Sequence, residues 1–402
     1  MNGHLDYAGV VPEPEIRRRL AGFQRRLGEA GIDVALVVQN ADLYYLTGTV
    51  QQSHLFVPAA GDPILLVRKD PGRAAAESPL EVESLSSMRA LPQVLPRLGL
   101  AADATIGLEL DVLPVRNYQR YQRIFPGAGL VDCSAALLEE RSVKSEWELS
   151  VLDQCAQLAK ESLEAAAAEI REGITELELS AILEGAMRRL GHQGVVRFRA
   201  FNQEMLQAHV FAGPDAGRST YMDGPLGGRG LTPAVSQGAS RRPIGRGEAI
   251  VIDFPGTRDG YMVDQTRTLS LGPLPADLQA AYDGCAQIED LLTGLAVPGA
   301  LCGEVYEAAA AKADDLGYGE YFMGAPLPVS FIGHGVGIEL DELPVLVRGS
   351  ERALEAGNVI ALEPKVLLPG RGTVGVENTW VVTDGGLRRI TTARNEVWEL
   401  EL

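Results

Sequence analysis

The segment VIDFPGTRDGYMVDQTRT, residues 251–268, constrains the fold of this 402-residue chain more than any other. An apolar run ends in Asp253, a turn rich in glycine and charge follows, and a second strand-like run contains Asp264. This pattern predicts a β-hairpin that places the two carboxylates side by side. Two such carboxylates in an apolar setting repel each other unless a cation lies between them. The alternative is a pair of turn or salt-bridge acids with Arg258 and Arg267 as partners.

A change in the pattern of helices and strands near residue 143 predicts two domains. Residues 1–143 alternate helix-like and strand-like runs, as an α/β domain does. A helix is expected over 13–31, and strands at DVALVV, YYLTG, LFVPA, PILLV and TIGLEL. Residues 144–402 open with a helix of more than about 20 residues, and this domain mixes strands with helices over 176–191, 276–295 and 303–316.

Charge and composition argue against several classes of function. The chain has 36 Lys and Arg against 54 Asp and Glu, and a net charge of −18 opposes binding to nucleic acid or to an anionic membrane. No apolar run approaches the roughly 18 residues of a membrane helix, and the first 20 residues show no leader pattern. Four cysteines without CxxC spacing predict buried, reduced thiols. We therefore expect a soluble, cytoplasmic protein.

A long glycine-rich segment, residues 212–243, precedes the hairpin. It lies between strand-like runs and is rich in Gly, Pro and Ser. In a compact domain a loop of this length is more often functional than idle, with disorder as the alternative.

Three further residues could join the two aspartates. His334 lies between glycines in FIGHGVGIELDELP, where the backbone can approach a ligand closely, although a single histidine of this kind is more often an ordinary core residue. Glu363 and Glu377 lie inside strand-like runs, and carboxylates are rarely buried unless they are paired or bind a cation. One nitrogen and four carboxylates suit Mn²⁺, Co²⁺, Zn²⁺ or Fe²⁺. Five ligands would all be used by two ions about 3.5–4 Å apart, which predicts a two-metal hydrolytic site.

In this order and in their contexts, the five residues resemble the pita-bread metallopeptidase family. That family includes methionine aminopeptidase, prolidase, aminopeptidase P and the metal-free hydrolase creatinase. The matching contexts, which extend over roughly residues 150–400, are the aspartate pair followed by TRT, then GHGVG, EP and VEN. The resemblance implies an α+β pita-bread catalytic domain at 144–402 behind a creatinase/prolidase-type α/β domain at 1–143. Members with such an N-terminal domain are commonly dimers, so a homodimer is expected.

The resemblance also implies a role for each of the five residues. Asp253 would bind one metal ion, His334 and Glu363 the other, and Asp264 and Glu377 would bridge them. A metal-bridging water would attack an amide carbonyl, and Glu363 would carry the proton, so Glu363 and His334 are the catalytic candidates. The expected activity is hydrolysis of Xaa-Pro bonds in a dipeptide or a longer peptide. Two divalent ions are expected, Mn²⁺ or Co²⁺ before Zn²⁺ or Fe²⁺.

The residues that should contact the substrate depart from the family pattern. The second histidine, seven positions after the first, is Asp341, and the histidine about seventeen positions before the first aspartate is Ser236. The arginine two positions before the last glutamate is Gly375. The remaining candidates for substrate contacts are His209, Tyr261, Asp341 and, from a neighbouring subunit, His54.

These departures keep two other functions open. One is a hydrolase or lyase for a small non-peptide metabolite, since creatinase, ectoine hydrolase and a sulfoniopropionate lyase share this fold. The other is an inactive binding module, although such modules tend to lose ligands and all five remain here. The expected partner is a small peptide or a small-molecule amide, with no nucleic acid and no membrane.

Overall fold

The computed structural model describes residues 9–401, so the first eight residues of the stretch inspected for a leader lie outside the described residues. The chain forms two compact units. Unit 1 holds Met1–Arg141 with Arg199–Phe201, and unit 2 holds Ser142–Phe198 with Asn202–Leu402. The boundary at residue 143 itself stays a prediction.

Unit 1 is an α/β fold, as predicted. Its helices are α1 (Glu13–Glu29), α2 (Asn40–Thr47), α3 (Pro71–Glu77), α4 (Val94–Arg97), α5 (Val115–Ile124) and α6 (Ser134–Ser142), with a 3₁₀ helix at Met88–Gln93. Its strands are β1 (Val34–Val37), β2 (Ser53–Pro58), β3 (Ile64–Val67), β4 (Val82–Ser84), β5 (Thr105–Leu108) and β6 (Gly129–Asp132). They form one mixed sheet in the order β4-β3-β2-β1-β5-β6. Side chains such as Phe56, Ile106 and Tyr121 form its core.

The YYLTG segment ends a helix and is not the predicted strand. It closes α2, where Gly48 adopts the left-handed conformation with φ of 77°. At the other end the Gln39 side chain accepts a hydrogen bond from the Asp42 amide. Glycine ends a helix in this conformation at little steric cost, and a short apolar run cannot show by its periodicity which element it forms.

His54 is buried within unit 1. It lies on β2, and its Nε2 is 3.1 Å from the Tyr121 hydroxyl. Burial, with a smaller contribution from Arg120 and Arg68, lowers the pKa of His54 to about 4. Because this is below the value of about 6.5 in an unfolded chain, folding favours the neutral ring. The resulting stability is complete above pH 6.5 and is lost as the pH falls towards 4.

We expect the free energy of unfolding to decrease by about 2 kcal/mol through His54 when the pH falls from 7.5 to 5. Urea unfolding of the wild type and of His54→Gln at both pH values measures this effect. The variant should lose less stability than the wild type over this interval. Equal losses in the two proteins would show that His54 is not responsible.

Unit 2 combines helices with sheets whose strands pair antiparallel except for β17 and β9, which confirms the α+β prediction. Its helices are α7 (Glu146–Ala167), α8 (Glu176–Arg189), α9 (Ala276–Leu295) and α10 (Cys302–Asp315), with 3₁₀ helices at Gly213–Asp215 and Gly319–Tyr321. Its strands are β7 (His209–Ala212), β8 (Ile250–Arg258), β9 (Tyr261–Leu271), β10 (Phe331–Gly335), β11 (Glu342–Val347), β12 (Val359–Leu362), β13 (Lys365–Leu368), β14 (Gly372–Gly375), β15 (Asn378–Thr383), β16 (Gly386–Arg389) and β17 (Trp398–Leu400). The capping box of Thr175 and Glu178 begins α8, as predicted.

The sheets of unit 2 meet at the hairpin of β8 and β9. These two strands are central in the sheet β17-β9-β8-β7, while β10 and β12 are neighbours in the sheet β11-β10-β12-β15-β16. A β-bridge between Thr266 and Glu377 connects the hairpin to the segment that precedes β15. Helices α9 and α10 cover the second sheet and the β13-β14 pair with a core that includes Leu292, Ile332 and Leu362. The sheets thereby hold several predicted site residues on rigid backbone.

The cysteines agree with the prediction from the sequence. Cys133, Cys155, Cys285 and Cys302 are buried and unpaired, as predicted. Within residues 9–401, no helix combines the length and the apolar character that crossing a bilayer requires.

Candidate metal centre

The β8–β9 hairpin places Asp253 and Asp264 on one face of the sheet. Asp253 lies opposite Thr266, and Pro255 lies opposite Asp264, so the two acids are diagonal neighbours and not directly opposite each other. The Asp264 amide donates a hydrogen bond to Thr379 Oγ1 at 2.9 Å, which fixes the backbone at this position. The predicted hairpin is confirmed.

The arginines near the hairpin do not neutralise these aspartates. Side chains alternate along a strand, and the Arg267 side chain points to the other face of β9. There it donates hydrogen bonds to the carbonyl oxygen of Glu377 at 2.6 Å and to Asn378 Oδ1 at 2.7 Å. Arg258 lies 3.6 Å from its neighbour Asp259. The structure therefore favours a cation site over a simple ion pair, and Arg267 instead anchors the backbone of Glu377.

His334 on β10 turns Nε2 towards the acids. Its Nδ1 lies 3.1 Å from the carbonyl oxygens of Gly335 and Leu340. In the neutral ring Nδ1 therefore carries the proton, and Nε2 keeps a lone pair for a cation. Nε2 lies 3.8 Å from Glu363 Oε1 and 4.0 Å from Glu377 Oε1.

The glycines beside His334 make room for neighbouring strands, not for a ligand as expected from the sequence. A Cβ atom on Gly333 would lie 2.3 Å from the Ala361 carbonyl oxygen, and one on Gly335 would lie 2.4 Å from that of Leu343. The close pairing of β10 with β11 and β12 thus requires glycine on both sides of the histidine.

Glu363 and Glu377 lie at breaks between strands and not inside strands as predicted. Glu363 follows β12 and precedes Pro364, which has no amide hydrogen to donate to a sheet. Glu377 lies between β14 and β15, and its Oε2 accepts a hydrogen bond from Thr266 Oγ1 at 2.6 Å. Both carboxylates are buried.

A buried lysine that the sequence analysis missed lies among these carboxylates. Lys365 Nζ is 2.5 Å from Glu363 Oε2, 3.0 Å from Glu377 Oε2 and 3.9 Å from Asp253 Oδ2, and the side chain is 1% exposed. Residues two positions apart in an extended segment share a face, so the sequence EPK contained the signal. Gly375, which replaces the arginine of the family pattern, lies opposite Lys365 in the β13–β14 pair.

The close approach of these acids changes their proton affinities. Burial raises the pKa of Asp253 to about 7, although Lys365 opposes the shift. Burial together with Glu377 and Asp253 raises the pKa of Asp264 well above its usual range. Burial also opposes ionisation of Glu377, but Lys365 and His334 hold its pKa below the usual value. A further cation next to these buried carboxyl groups would stabilise their ionised forms.

The residues fit a divalent metal ion. Asp264, His334 and Glu377 each offer a ligand atom, and these atoms lie within 4.8 Å of one another. All three residues are buried. One imidazole nitrogen with carboxylate oxygens is a donor set that suits Mn²⁺, Co²⁺, Zn²⁺ and Fe²⁺.

The acids open onto a pocket of about 240 Å³. The glycine-rich segment 212–243 contributes residues 222–226 and Gln237 to its wall. Much of the remaining lining is apolar, with Phe198, Met205, Phe331, Leu340 and Val345. A pocket that combines apolar side chains with convergent polar groups is typical of a small-molecule site.

Two of the predicted substrate contacts line this pocket. His209 pairs with Asp253 in the sheet, and its Nε2 has no hydrogen-bond partner among the described residues. Burial, assisted by Lys365, lowers the pKa of His209 to about 4, so its ring is neutral at pH 7. Asp341 is half exposed, with Oδ1 3.4 Å from His334 Nδ1.

Tyr261 is not a substrate contact, contrary to the prediction. It is fully buried outside the pocket lining, and its hydroxyl donates a hydrogen bond to Glu148 Oε1 at 2.9 Å. Its ring also contacts Trp147 edge to face. Strand alternation alone could not show that a helix, α7, covers this end of β9.

The pocket contains Gln237 where the sequence analysis placed Ser236. Ser236 is partly buried and lies outside the lining, whereas Gln237 is buried within it. Its Nε2 donates a hydrogen bond to the Tyr221 hydroxyl at 3.0 Å, and its Oε1 has no partner among the described residues. The spacing that pointed to Ser236 runs through the long loop, where spacing is a poor guide. His54, the remaining candidate, belongs to unit 1.

Comparisons with known proteins match both units. A model described as "Metallopeptidase family M24" matches residues 150–384, and one described as "Creatinase/Prolidase N-terminal domain" matches residues 19–143. An Xaa-Pro dipeptidase from Pyrococcus furiosus is 25% identical over 386 residues, which cover 95% of this chain and 100% of the relative. The solved structure of dipeptidase PepE from Mycobacterium ulcerans has a TM-score of 0.79 at 25% identity and covers 98% of this chain and 100% of its own. An Xaa-Pro dipeptidase from Bacillus anthracis has a TM-score of 0.80 at 23% identity, with 96% and 100% covered, and shows the fold alone.

Proposed function

The chain belongs to metallopeptidase family M24, and from this premise we propose that it is a divalent-metal-dependent hydrolase of Xaa-Pro peptide bonds. The observation that carries the proposal is the buried cluster of one histidine and several carboxylates in the wall of a pocket that also has apolar lining residues. The Xaa-Pro dipeptidase from Pyrococcus furiosus, which matches nearly the whole chain, supports a peptide substrate.

The proposed cofactor is a divalent cation, Mn²⁺ or Co²⁺ before Zn²⁺ or Fe²⁺. Asp264, His334 Nε2 and Glu377 would hold it, with Glu363 Oε1 beside them. Such a cation supplies Lewis acidity, which polarises the scissile carbonyl and makes water a nucleophile at neutral pH. The pair of ions expected from the resemblance would also need Asp253, so the number of ions depends on Lys365, which already lies near that residue.

The chain's own residues position the substrate and move the proton. Glu363 borders both the cation ligands and the pocket, and is proposed to transfer the proton to the leaving amine. Gln237 Oε1 and His209 Nε2 are buried without partners among the described residues and are available for hydrogen bonds to the peptide. We propose that they replace the histidines of the family pattern. The apolar lining accepts the proline ring and excludes water.

The charge of the pocket favours peptides without a free carboxylate on the proline. Its lining includes six acids, Asp223, Asp253, Asp264, Asp341, Glu363 and Glu377, and no Arg or Lys among the described residues. An N-terminal ammonium group is attracted to such a surface, whereas the carboxylate of an Xaa-Pro dipeptide is repelled.

We expect kcat/KM to be at least about tenfold higher for an Xaa-Pro-Xaa tripeptide than for the Xaa-Pro dipeptide. Hydrolysis by the Mn²⁺- or Co²⁺-loaded protein, followed by chromatography, measures this ratio. The amide Xaa-Pro-NH₂ is the matched control, since it removes the charge without adding a residue and should also be preferred to the dipeptide. A preference for the free dipeptide would contradict the charge argument but not the peptidase, and no cleavage of any Xaa-Pro peptide would contradict the proposed function.

A second candidate function has one observation in its favour. Gln237 and Asp341 line the pocket where the family pattern of peptidases leads one to expect histidines. This supports a hydrolase or lyase for a small non-peptide metabolite, such as a cyclic or guanidino amide. Turnover of such an amide with no turnover of Xaa-Pro peptides would establish it.

The proposed assembly and location rest on different grounds. A homodimer is proposed from the resemblance to family members with this type of N-terminal domain. A cytoplasmic location is proposed because four buried, unpaired cysteines suit a reducing compartment.

A further inference from the structure

We propose that the Lys365 ammonium group takes the place of one metal ion, so that the centre binds a single divalent cation. This proposal rests on the metal dependence proposed above and specifies the form of the site. The ammonium nitrogen lies 2.5 Å from Glu363 Oε2 and 3.0 Å from Glu377 Oε2, at contact distance from two acids that a metal pair would require. Asp253 Oδ2 lies 3.9 Å away as well, so the lysine places a positive charge among three carboxylates.

The two oxygens of each glutamate face different groups. Glu377 Oε2 accepts hydrogen bonds from both Lys365 Nζ and Thr266 Oγ1. Each carboxylate oxygen has about two lone-pair positions, so this atom has none left for a metal ion. Glu363 Oε2 accepts from Lys365 as well, whereas the Oε1 atoms of both glutamates lie 3.8 and 4.0 Å from His334 Nε2. The Oε1 atoms of both glutamates are therefore available to one cation next to His334, whereas their Oε2 atoms are hydrogen-bonded to Lys365.

Asp253 is the ligand that a second ion would need. It is absent from the group of residues whose ligand atoms lie within 4.8 Å of one another, which among the described residues is Asp264, His334 and Glu377. Its Oδ2 instead lies 3.9 Å from Lys365 Nζ. A second divalent ion between Asp253 and Glu377 would therefore have to share this buried space with an ammonium group, and the two cations would repel each other.

The neighbouring strand β14 leaves space for the Lys365 side chain. Lys365 pairs with Gly375 across β13 and β14. A Cβ atom on Gly375 would lie 2.6 Å from Lys365 Cγ and 2.7 Å from the Pro364 carbonyl oxygen. Any side chain at position 375 would therefore displace the lysine stem. The position of Lys365 is therefore fixed by packing against Gly375 as well as by its ion pairs.

The number of metal ions per chain tests the proposal. Wild-type protein incubated with excess Mn²⁺ and freed of unbound metal should contain about one ion per chain by mass spectrometry, and its electron paramagnetic resonance spectrum should be that of an isolated Mn²⁺. Lys365→Met keeps most of the length of the side chain but removes the charge. This variant should bind about two ions and show the spectrum of a spin-coupled pair.

Two further variants separate charge from general disruption. Lys365→Arg keeps the positive charge and should remain at about one ion per chain. Lys144→Met removes another buried lysine of unit 2, which lies 2.9 Å from Glu342 and outside the pocket lining, and should also remain at about one ion. Circular dichroism confirms that each variant is folded.

The outcomes distinguish this proposal from the proposed function. About two coupled ions in the wild type would overturn the role of Lys365 while leaving metal dependence intact, and this result needs no variant to fold. A single ion in folded Lys365→Met would also overturn it, because the ammonium would then not be what excludes the second ion. Metal at background level in the wild type would overturn the proposed function instead.

Discussion

Asp264→Asn is expected to lower kcat/KM for an Xaa-Pro peptide by on the order of 10³-fold and to remove most of the bound metal. Asp264 is one of three buried residues whose ligand atoms lie within 4.8 Å of one another. Its backbone is fixed by two hydrogen bonds with Thr379, which hold the carboxylate in this position. Asparagine keeps the shape but loses the negative charge that attracts a cation. Steady-state kinetics and metal analysis of the purified variant measure both effects.

The same hairpin offers a matched control. Asp259 lies in its turn with φ of 48°, a conformation that asparagine adopts readily, and outside the pocket lining. Asp259→Asn makes the same chemical change and should leave metal content and activity as in the wild type. If Asp264→Asn kept more than about a tenth of the wild-type activity, the metal centre described above would not be the active site.

Arg267→Met is expected to lower the free energy of unfolding of unit 2 by about 3–5 kcal/mol. The guanidinium group is fully buried. It donates hydrogen bonds at 2.6–2.9 Å to five oxygen acceptors, Thr266 O, Glu377 O, Asn378 Oδ1, Ala393 O and Arg394 O. Methionine fills part of the space but leaves these buried acceptors without their donor. Urea unfolding of the metal-free protein measures the loss of stability without a contribution from bound metal.

An exposed arginine of the same unit is the control for this substitution. Arg388 is 47% exposed and lies 3.3 Å from Asp153, so Arg388→Met should change the free energy of unfolding by less than about 0.5 kcal/mol. A loss below about 1 kcal/mol for Arg267→Met would mean that Arg267 does not anchor the Glu377 segment.

Local sequence signals predicted the elements with strong periodicity and defined ends. The capping box at Thr175 set the start of α8, and the apolar runs around Asp253 and Asp264 predicted the β8–β9 hairpin. These features depend on residues close together in the chain, so their pattern is visible without the fold. The YYLTG segment failed because a few apolar residues before a glycine suit a helix end as well as a strand.

The parts of the site that the sequence did not predict depend on contacts between distant segments. Lys365 was overlooked although Glu363 lies two positions before it, because Glu377 and the space left by Gly375 become its neighbours only in the fold. Gln237 was missed because it lies in an irregular loop, and Tyr261 was predicted to contact substrate because nothing near it in sequence shows that Glu148 covers it. The five ligands were predicted as a set because their order and contexts carry information that a single residue lacks, and three of them, Asp264, His334 and Glu377, have ligand atoms within 4.8 Å of one another.

The central claim is that the cluster around Asp264 and His334 makes this chain a metal-dependent hydrolase of Xaa-Pro bonds. The most direct test is the initial rate of hydrolysis of one Xaa-Pro-Xaa peptide by the wild type, first stripped of metal by a chelator and then resupplied with Mn²⁺ or Co²⁺. We expect the rate to fall to background after stripping and to return on addition of metal, and to stay at background in Asp264→Asn under both conditions. Unchanged hydrolysis by the stripped protein, or by the variant, would contradict the claim.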